Sequence, residues 1–181
     1  MTKRRVLLTG ATGYIASQYR EALRERYDLR MIDIKTTDRS GAEVPGVEIA
    51  DLLQEELDAL LPYFEGIDTV VHSAYVPRPL GNEEPRQNYF IERNNIDLAF
   101  RIFQLSLEAG VRRVVAMSTN HAASWYETPY FAGLKDRVGP EDYPRPGSLY
   151  GWAKAAYETL GFVYASGRFG RKLETVFLRI V

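Results

Sequence analysis

Two side chains near the end of the chain have the types and spacing needed for proton transfer. Tyr150 and Lys154 lie four residues apart in a predicted helix over residues 149–166, so they share one helix face. A tyrosine with an ordinary pKa of about 10 is a poor base at neutral pH, but a neighbouring ammonium stabilises its phenolate. Tyr150 could then take a substrate hydroxyl proton while a hydride leaves the same carbon. The alternative is a surface aromatic residue beside a solvated lysine.

A glycine-rich turn near the start of the chain has the form that cradles a dinucleotide pyrophosphate. It reads Thr9-Gly10-Ala11-Thr12-Gly13-Tyr14-Ile15-Ala16 and joins a predicted strand to a predicted helix. Gly10 allows the tight bend, Gly13 lets the backbone approach the phosphates, and Ala16 keeps the helix near the strand. Helix N–H groups would then face the phosphates. The cofactor contacts expected here are Gly10, Thr12, Gly13, Tyr14 and Ile15. The alternative is a turn that only connects two elements.

Asp33 strengthens the dinucleotide interpretation. It ends the second predicted strand, 20 residues after Gly13, where a ribose-binding acid is expected. Its carboxylate would accept hydrogen bonds from the ribose hydroxyls and repel a 2′-phosphate, which favours NAD over NADP. The nearby Lys35 and Arg39 leave NADP open.

The end of the third predicted strand, at residues 47–50, offers further cofactor contacts. Asp51 and Leu52 could flank the adenine, although Asp51 could equally cap a helix. Ile34, next to the ribose-binding acid, is another candidate.

Asn95 is a polar residue on an apolar helix face. The helix is predicted from about residue 86 to residue 109, and one face carries Ile91, Asn95, Leu98, Ile102, Leu105 and Ala109. Burial of an unpartnered amide costs about 1–3 kcal/mol, so Asn95 must form hydrogen bonds. It either links the helix to a neighbouring loop backbone or lies under the nicotinamide as a site residue.

A second apolar stripe on the same helix contains Ile96, Phe100, Phe103 and Leu107. A helix that is apolar on two faces is buried on both, either by its own domain or by a second subunit. We predict a homodimer.

Two hydroxyl residues, Ser118 and Thr119, end the fifth predicted strand. Ligands of open α/β sheets bind at the carboxyl ends of strands, so one of these hydroxyls should hold the substrate oxygen beside Tyr150. Neighbours on a strand face opposite ways, and only one of the two is expected to do so.

The elements that position these residues alternate between strand and helix. Predicted strands cover residues 5–9, 29–33, 47–50, 69–74, 113–119 and 173–180, and helices include 14–27 and 55–64. This alternation predicts an α/β fold with a Rossmann-like, doubly wound parallel sheet. With 181 residues and 45% hydrophobic content, we expect one dinucleotide-binding domain over residues 1–181.

Composition excludes several classes of function. A net charge of −1 gives no electrostatic basis for binding nucleic acid or an anionic membrane, and no apolar stretch approaches a membrane span. The absence of cysteine removes disulfides and thiolate chemistry and fits a cytoplasmic location. The two histidines, His72 and His121, have no glutamate at helical spacing, and we predict no metal site.

Taken in order, these motifs make the chain resemble the extended short-chain dehydrogenase/reductases, the NAD-dependent epimerase/dehydratase family. The resemblance implies NAD bound at the sheet edge, with Thr119, Tyr150 and Lys154 as the catalytic residues, and we place Asn95 with them. It also implies that His72, Ser73 and Ala74 line the cofactor and that Ser118 is structural. Such proteins usually continue past the sixth strand, so the C-terminal substrate part is expected to be missing or very short.

The residues after the fifth strand indicate the substrate class. Sugar-nucleotide dehydratases carry an Asp-Glu pair where this chain has Asn120 and His121, which argues against elimination chemistry. Ser118-Thr119-Asn120-His121 instead looks like the Ser-x-Asn-His of uronate dehydrogenases. Tyr75 stands in the segment where those enzymes carry a substrate-binding serine, so Tyr75, Asn120 and His121 are the substrate candidates. His121 could also be an exposed loop histidine.

The loop between His121 and Tyr150 departs from the uronate enzymes because it is long and aromatic. Its rings are Trp125, Tyr126, Tyr130, Phe131 and Tyr143, and the nearby cations Arg78, Lys135 or Arg137 could meet a carboxylate. The alternative is a surface loop packed by its own rings. We therefore predict an NAD-dependent oxidoreductase for a sugar, sugar acid or other secondary alcohol. The alternatives are a nucleotide-sugar epimerase with retained NAD and a non-catalytic dinucleotide-binding module.

Overall fold

A single parallel sheet positions the candidate residues. The structure, a computed structural model, describes residues 3–79, 81, 84–139 and 141–180. Its strands are β1 Arg5–Thr9, β2 Asp28–Asp33, β3 Val47–Ile49, β4 Thr69–His72, β5 Arg113–Thr119 and β6 Glu174–Ile180. The strand order is β3-β2-β1-β4-β5-β6, with every pair parallel. The order reverses between β1 and β4, where open α/β sheets bind their ligands. The Rossmann-like fold prediction is confirmed.

Helices cover both faces of the sheet. They are α1 Tyr14–Ser17, α2 Arg20–Arg26, α3 Leu57–Leu60, α4 Pro85–Glu108, α5 Glu127–Phe131 and α6 Leu149–Ala165, with 3-10 helices at Leu61–Tyr63 and Asn120–Tyr126. Leu7 of β1 packs into the core on the α4 and α6 side, whereas Val6 and Leu8 pack on the α1 and α2 side. Burial on both faces explains why the strands read as continuous apolar runs.

The prediction of one helix over residues 14–27 is wrong, because the chain breaks at Tyr19, whose φ of −135° is not helical. The Ser17 hydroxyl donates to the Tyr14 carbonyl at 2.7 Å, a local bond that competes with helix continuation. After the break, the Tyr19 hydroxyl hydrogen-bonds to the Ser73 hydroxyl at the end of β4.

Two further segments differ from prediction. The helix expected over residues 55–64 is shorter, since α3 gives way to the 3-10 helix Leu61–Tyr63 at a proline that has no N–H to donate. The long loop before α6 contains the 3-10 helix Asn120–Tyr126, which is kinked at Ala123, and then α5.

The second apolar stripe of α4 is covered only in part by the chain's own core. Phe103 and Leu107 belong to or pack against the chain's own core, whereas Ile96 is half-buried and Phe100 is 42% exposed. Half of the second stripe is therefore covered within the chain, and the homodimer stays a prediction.

Membrane-spanning helices and clusters of metal ligands are both absent from residues 3–79, 81, 84–139 and 141–180. No helix in these ranges is long and apolar enough to cross a membrane. The same ranges hold no cluster of three or more metal-ligating His, Cys, Asp or Glu side chains.

Candidate active site

The glycine turn takes a conformation that requires glycine. Gly10 has φ +69°, and a Cβ there would lie 2.5 Å from Cα of Ala74 in the backbone that follows β4. Gly13 precedes α1, and no side chain caps this helix among the described residues. The first-turn N–H groups of Tyr14 and Ile15 have no partner within a helix, so they are available to phosphate oxygens. These residues fit a dinucleotide.

Asp33 holds this turn to the end of β2. Its Oδ2 accepts hydrogen bonds from the backbone N–H and the hydroxyl of Thr12 at 2.9 and 2.7 Å, and its Oδ1 accepts from the N–H of Ile34 at 2.7 Å. The carboxylate is half-buried, and one of its about four lone-pair sites remains for a ribose hydroxyl. The guanidinium of Arg39 lies 5.4 Å from the Tyr14 ring centre, close to this edge.

Asp51 closes a turn and does not cap α3, whose N-cap is Glu56, while Leu52 packs in the core. The Asp51 Oδ1 accepts from the N–H groups of Leu53 and Gln54 at 2.9 and 3.1 Å, and its own N–H donates to Glu55 at 2.7 Å. The Leu52 side chain is buried in the main core cluster. Contact of these two residues with adenine stays a prediction.

His72 is buried where β4 ends beside β1. Its Nδ1 lies 2.8 Å from the Thr9 hydroxyl oxygen. Burial lowers the His72 pKa to about 3, with a further contribution from the charge of Lys154, so the imidazole is neutral. The side chain at the end of β4 is thus uncharged. The contact of His72, Ser73 and Ala74 with the cofactor stays a prediction.

Lys154 is buried at the end of β5. Its ammonium donates to the Met117 carbonyl at 2.7 Å and to the Tyr157 hydroxyl at 2.9 Å. Burial lowers its pKa to about 8, and the charges of Glu92 and Glu158 oppose that decrease. Two of its three N–H donors are therefore engaged by the fold, and the third remains for a ligand. Tyr157, three residues along the same helix, was not anticipated from the sequence.

Tyr150 is half-buried between two rings. The Tyr75 ring centre lies 5.7 Å away at an interplanar angle of 83°, and the His121 ring lies 5.9 Å away at 64°. The Lys154 ammonium lies 5.4 Å from the Tyr75 ring centre. The structure thus brings Tyr75, His121, Tyr150 and Lys154 together.

The two hydroxyls that end β5 face different partners. The Ser118 hydroxyl donates to Glu158, which also pairs with Arg179 at 2.7 Å. Thr119 donates to Oδ1 of Asn120 at 3.2 Å and accepts from the N–H of His121 at 3.2 Å. Only Thr119 therefore interacts with the two substrate candidates that follow it.

The N-terminus of α6 is fixed against the segment that carries His121. The Ser148 hydroxyl accepts from the Gly151 N–H at 3.1 Å, as an N-cap does. A Cβ at Gly151 would overlap the His121 carbonyl oxygen. Glycine at this position allows the close approach that sets His121 against Tyr150.

Asn95 forms the loop link that was one of its two interpretations. Its Oδ1 accepts from the Val76 N–H at 2.7 Å, and its Nδ2 donates to the Val76 carbonyl at 3.2 Å. Asn95 therefore fixes the loop that carries Tyr75, and its direct role in catalysis stays a prediction.

Glu92 is a site residue that the sequence reasoning missed. It is fully buried, and it accepts from the Tyr75 hydroxyl at 3.0 Å and from Nδ2 of Asn95 at 3.3 Å. Nε of Arg78 lies 3.4 Å from the same carboxylate. Its spacing of three residues from Asn95 placed it beside that amide on α4, and this signal could have identified it.

A cavity of about 620 Å³ adjoins the end of β5. Its lining includes Asn120, Tyr126, Tyr130, Phe131, Arg137 and Arg179. The other predicted cations have partners elsewhere: Lys135 pairs with Asp142 at 2.8 Å and Arg78 with Glu92.

The chain is similar to known proteins over most of its length. The profile of the NAD dependent epimerase/dehydratase family matches residues 6–180. The NAD-dependent glucose-6-phosphate dehydrogenase of Haloferax volcanii is 34% identical over 88% of this chain and 62% of its own length. The uronate dehydrogenase of Pseudomonas syringae pv. tomato is 32% identical over 97% of this chain and 58% of its own length.

A solved structure is similar over nearly the whole chain. MoeE5 in complex with UDP-glucose and NAD aligns with a TM-score of 0.72 and 28% identity, over 97% of this chain and 53% of its own. The chain thus spans between half and two thirds of the length of each of these three proteins. It belongs to the NAD dependent epimerase/dehydratase family.

Proposed function

We propose that this protein is an NAD-dependent dehydrogenase that oxidises a sugar, a sugar acid or another secondary alcohol. The observation that carries the proposal is the buried ammonium of Lys154 at the carboxyl edge of the sheet, over the Tyr75 ring that also contacts the ring of Tyr150. Burial of a lysine is costly, and a function in catalysis accounts for it.

NAD, when bound, would accept the hydride. The amides of Tyr14 and Ile15 would hold its phosphates, Asp33 its ribose, and the third N–H of Lys154 the nicotinamide ribose. The further contacts proposed for it are Gly10, Thr12, Gly13, Ile34, Asp51, Leu52, His72, Ser73 and Ala74.

Tyr150 would act as the general base. The Lys154 ammonium, four residues along the same helix, would stabilise the phenolate, which would take the proton from the substrate hydroxyl. The Thr119 hydroxyl would orient the substrate oxygen, while Asn120 and His121 would donate to other oxygens of the substrate.

The cavity beside Asn120 supports a carbohydrate substrate. Tyr130 and Phe131 offer ring faces to a sugar, and Arg137 offers a guanidinium to a carboxylate or phosphate. The similar proteins include enzymes named for a sugar phosphate and a uronate. We also propose one domain over residues 1–181, a homodimer and a cytoplasmic location.

Turnover of Tyr150→Phe tests the function. NADH formation is measured with a panel of aldoses, aldose phosphates, uronates and small alcohols, and the variant is expected to lose at least 100-fold in kcat because its general base is absent. NAD affinity should be nearly unchanged. Tyr143→Phe, an exposed tyrosine of the neighbouring loop, is the control and should keep full activity.

One outcome would contradict the role of Tyr150, and two would contradict the dehydrogenase activity. Unchanged turnover in Tyr150→Phe would show that Tyr150 is not the general base. Wild-type protein that retains NAD and interconverts sugar isomers without net NADH would be an epimerase. Binding of NAD with no turnover of any kind would leave a dinucleotide-binding module.

A further inference from the structure

Glu92 is a buried carboxylate to which the proposed reaction assigns no step. It has no solvent exposure, and three groups surround it: the Tyr75 hydroxyl at 3.0 Å and Nε of Arg78 at 3.4 Å, both from the loop after β4, and Nδ2 of Asn95 on the same helix at 3.3 Å. Two hydrogen-bond donors and a guanidinium therefore face this carboxylate, an arrangement that stabilises a negative charge. The fold therefore places a carboxylate on the buried face of α4.

Tyr75 connects this charge to the catalytic candidates. Its hydroxyl is held by Glu92, and its ring lies 5.4 Å from the Lys154 ammonium and edge-on to Tyr150, with 5.7 Å between the ring centres. A cation over an aromatic face and an edge-to-face ring pair are both favourable arrangements. The position of the Tyr75 ring therefore affects Lys154 and Tyr150 together.

We propose that Glu92 is a positioning residue of this site, whose carboxylate holds the Tyr75 ring against Lys154 and Tyr150 and keeps the Lys154 ammonium charged. This inference rests on the proposed function, because the charged ammonium matters to the extent that Tyr150 acts as a base. Glu92 itself touches neither of the reacting groups and acts through Tyr75 and through its charge.

The electrostatics of Lys154 support this role. Its pKa is lowered to about 8 by burial, and Glu92 is the first charge that opposes the decrease, followed by Glu158. Glu158 also lies in a close ion pair with Arg179. The groups around Lys154 are His72 of β4, Tyr75 of the loop after β4, Glu92 of α4, and Tyr157 and Glu158 of α6, while Tyr150 contacts the Tyr75 ring.

The neighbours other than these two glutamates contribute little charge. Burial raises the pKa values of Tyr75 and Tyr157 above their ordinary 10 and lowers that of His72 to about 3, so these three side chains are neutral at pH 7. The charge of Lys154 near pH 8 therefore depends on Glu92 and Glu158.

A direct titration of Lys154 tests the proposal. The chain has five lysines, so the side-chain nitrogen signals of protein labelled with ¹⁵N-lysine can be resolved by NMR, and Lys154→Arg identifies the signal. In Glu92→Gln the pKa of Lys154 is expected to fall by about 1 unit, the effect of losing a nearby opposite charge. Glu108→Gln, an exposed glutamate of the same helix, is the control and should leave it unchanged.

Two more variants separate a charge effect from damage to the fold. Glu92→Asp keeps the charge and should restore most of the wild-type pKa. Arg78→Gln removes the partly exposed cation that pairs with Glu92. Because the Glu92 charge then acts on Lys154 without this counter-charge, the Lys154 pKa should rise, and this test does not require Glu92→Gln to fold. An unchanged pKa in folded Glu92→Gln, or in Arg78→Gln, would overturn the proposal.

The titration needs neither substrate nor NAD, so its outcome is independent of the dehydrogenase assay. Absence of turnover in the wild type would refute the proposed function and leave the measurement on Glu92 valid. With an active enzyme, the alkaline limb of the kcat/KM profile of Glu92→Gln should move to lower pH. A lower kcat/KM with an unmoved limb would indicate a merely structural role.

Discussion

Replacing Gly10 by alanine should disrupt the proposed cofactor site and weaken the fold. At φ +69° a residue with a Cβ has a conformational cost of about 1–2 kcal/mol. The new Cβ would also lie 2.5 Å from both Cα and N of Ala74 and 2.7 Å from the carbonyl carbon of Ser73. These are backbone atoms that cannot rotate away, and the forced shift costs about 1–3 kcal/mol more.

The expected loss in the free energy of unfolding is therefore about 2–5 kcal/mol, against about 5–15 kcal/mol for a typical domain. Urea denaturation measures it. Affinity for NAD should fall as well, because the displaced turn carries the amides that would bind the phosphates; fluorescence titration with NADH measures that loss.

Gly41→Ala is a matched control. Gly41 has φ +85°, but a Cβ there would meet nothing within 4 Å, so only the conformational cost of about 1–2 kcal/mol applies. The difference between the variants isolates the clash with Ala74. Equal losses of stability, or unchanged NADH affinity in Gly10→Ala, would refute the reasoning.

Two other changes give testable results. Between pH 8 and 10.5 the unfolded chain keeps a proton on Lys154 that the folded chain loses, so the contribution of this residue to the unfolding free energy should rise with pH by up to about 3 kcal/mol. Urea denaturation at several pH values should show this rise in the wild type relative to Lys154→Met, and a constant difference would contradict it. Asp33→Asn removes the charge that holds Thr12 and repels a 2′-phosphate, so NAD affinity should fall about tenfold while NADP affinity should not fall. Titration with both cofactors checks it, and the same preference for NAD as the wild type would argue against the role of Asp33.

Features set by short-range backbone and packing rules could be predicted from the sequence. The glycine at position 10 is needed for a left-handed turn, and the apolar strands are buried on both faces of the sheet, so each left a local signal. The polarity of Asn95 on an apolar helix face predicted a buried hydrogen-bonding role, although it left open which one.

Features set by contacts between distant segments were missed. The break at Tyr19 accompanies a bond to Ser73, 54 residues away, which no helical pattern encodes. Lys154 was predicted as a partner of Tyr150 and of the cofactor, but its bond to the Met117 carbonyl was not predicted, because that bond depends on how α6 packs on β5. Glu92 looked like an ordinary charged helix residue until the loop that carries Tyr75 supplied its partners.

The structure of a crystal grown or soaked with NAD tests the account most directly. We expect the diphosphate to bind the backbone of residues 10–15 and the ribose to bind Asp33. The nicotinamide should lie within hydrogen-bonding reach of Lys154 and beside the Tyr150 hydroxyl. A diphosphate bound elsewhere, or a nicotinamide remote from Tyr150, would contradict it.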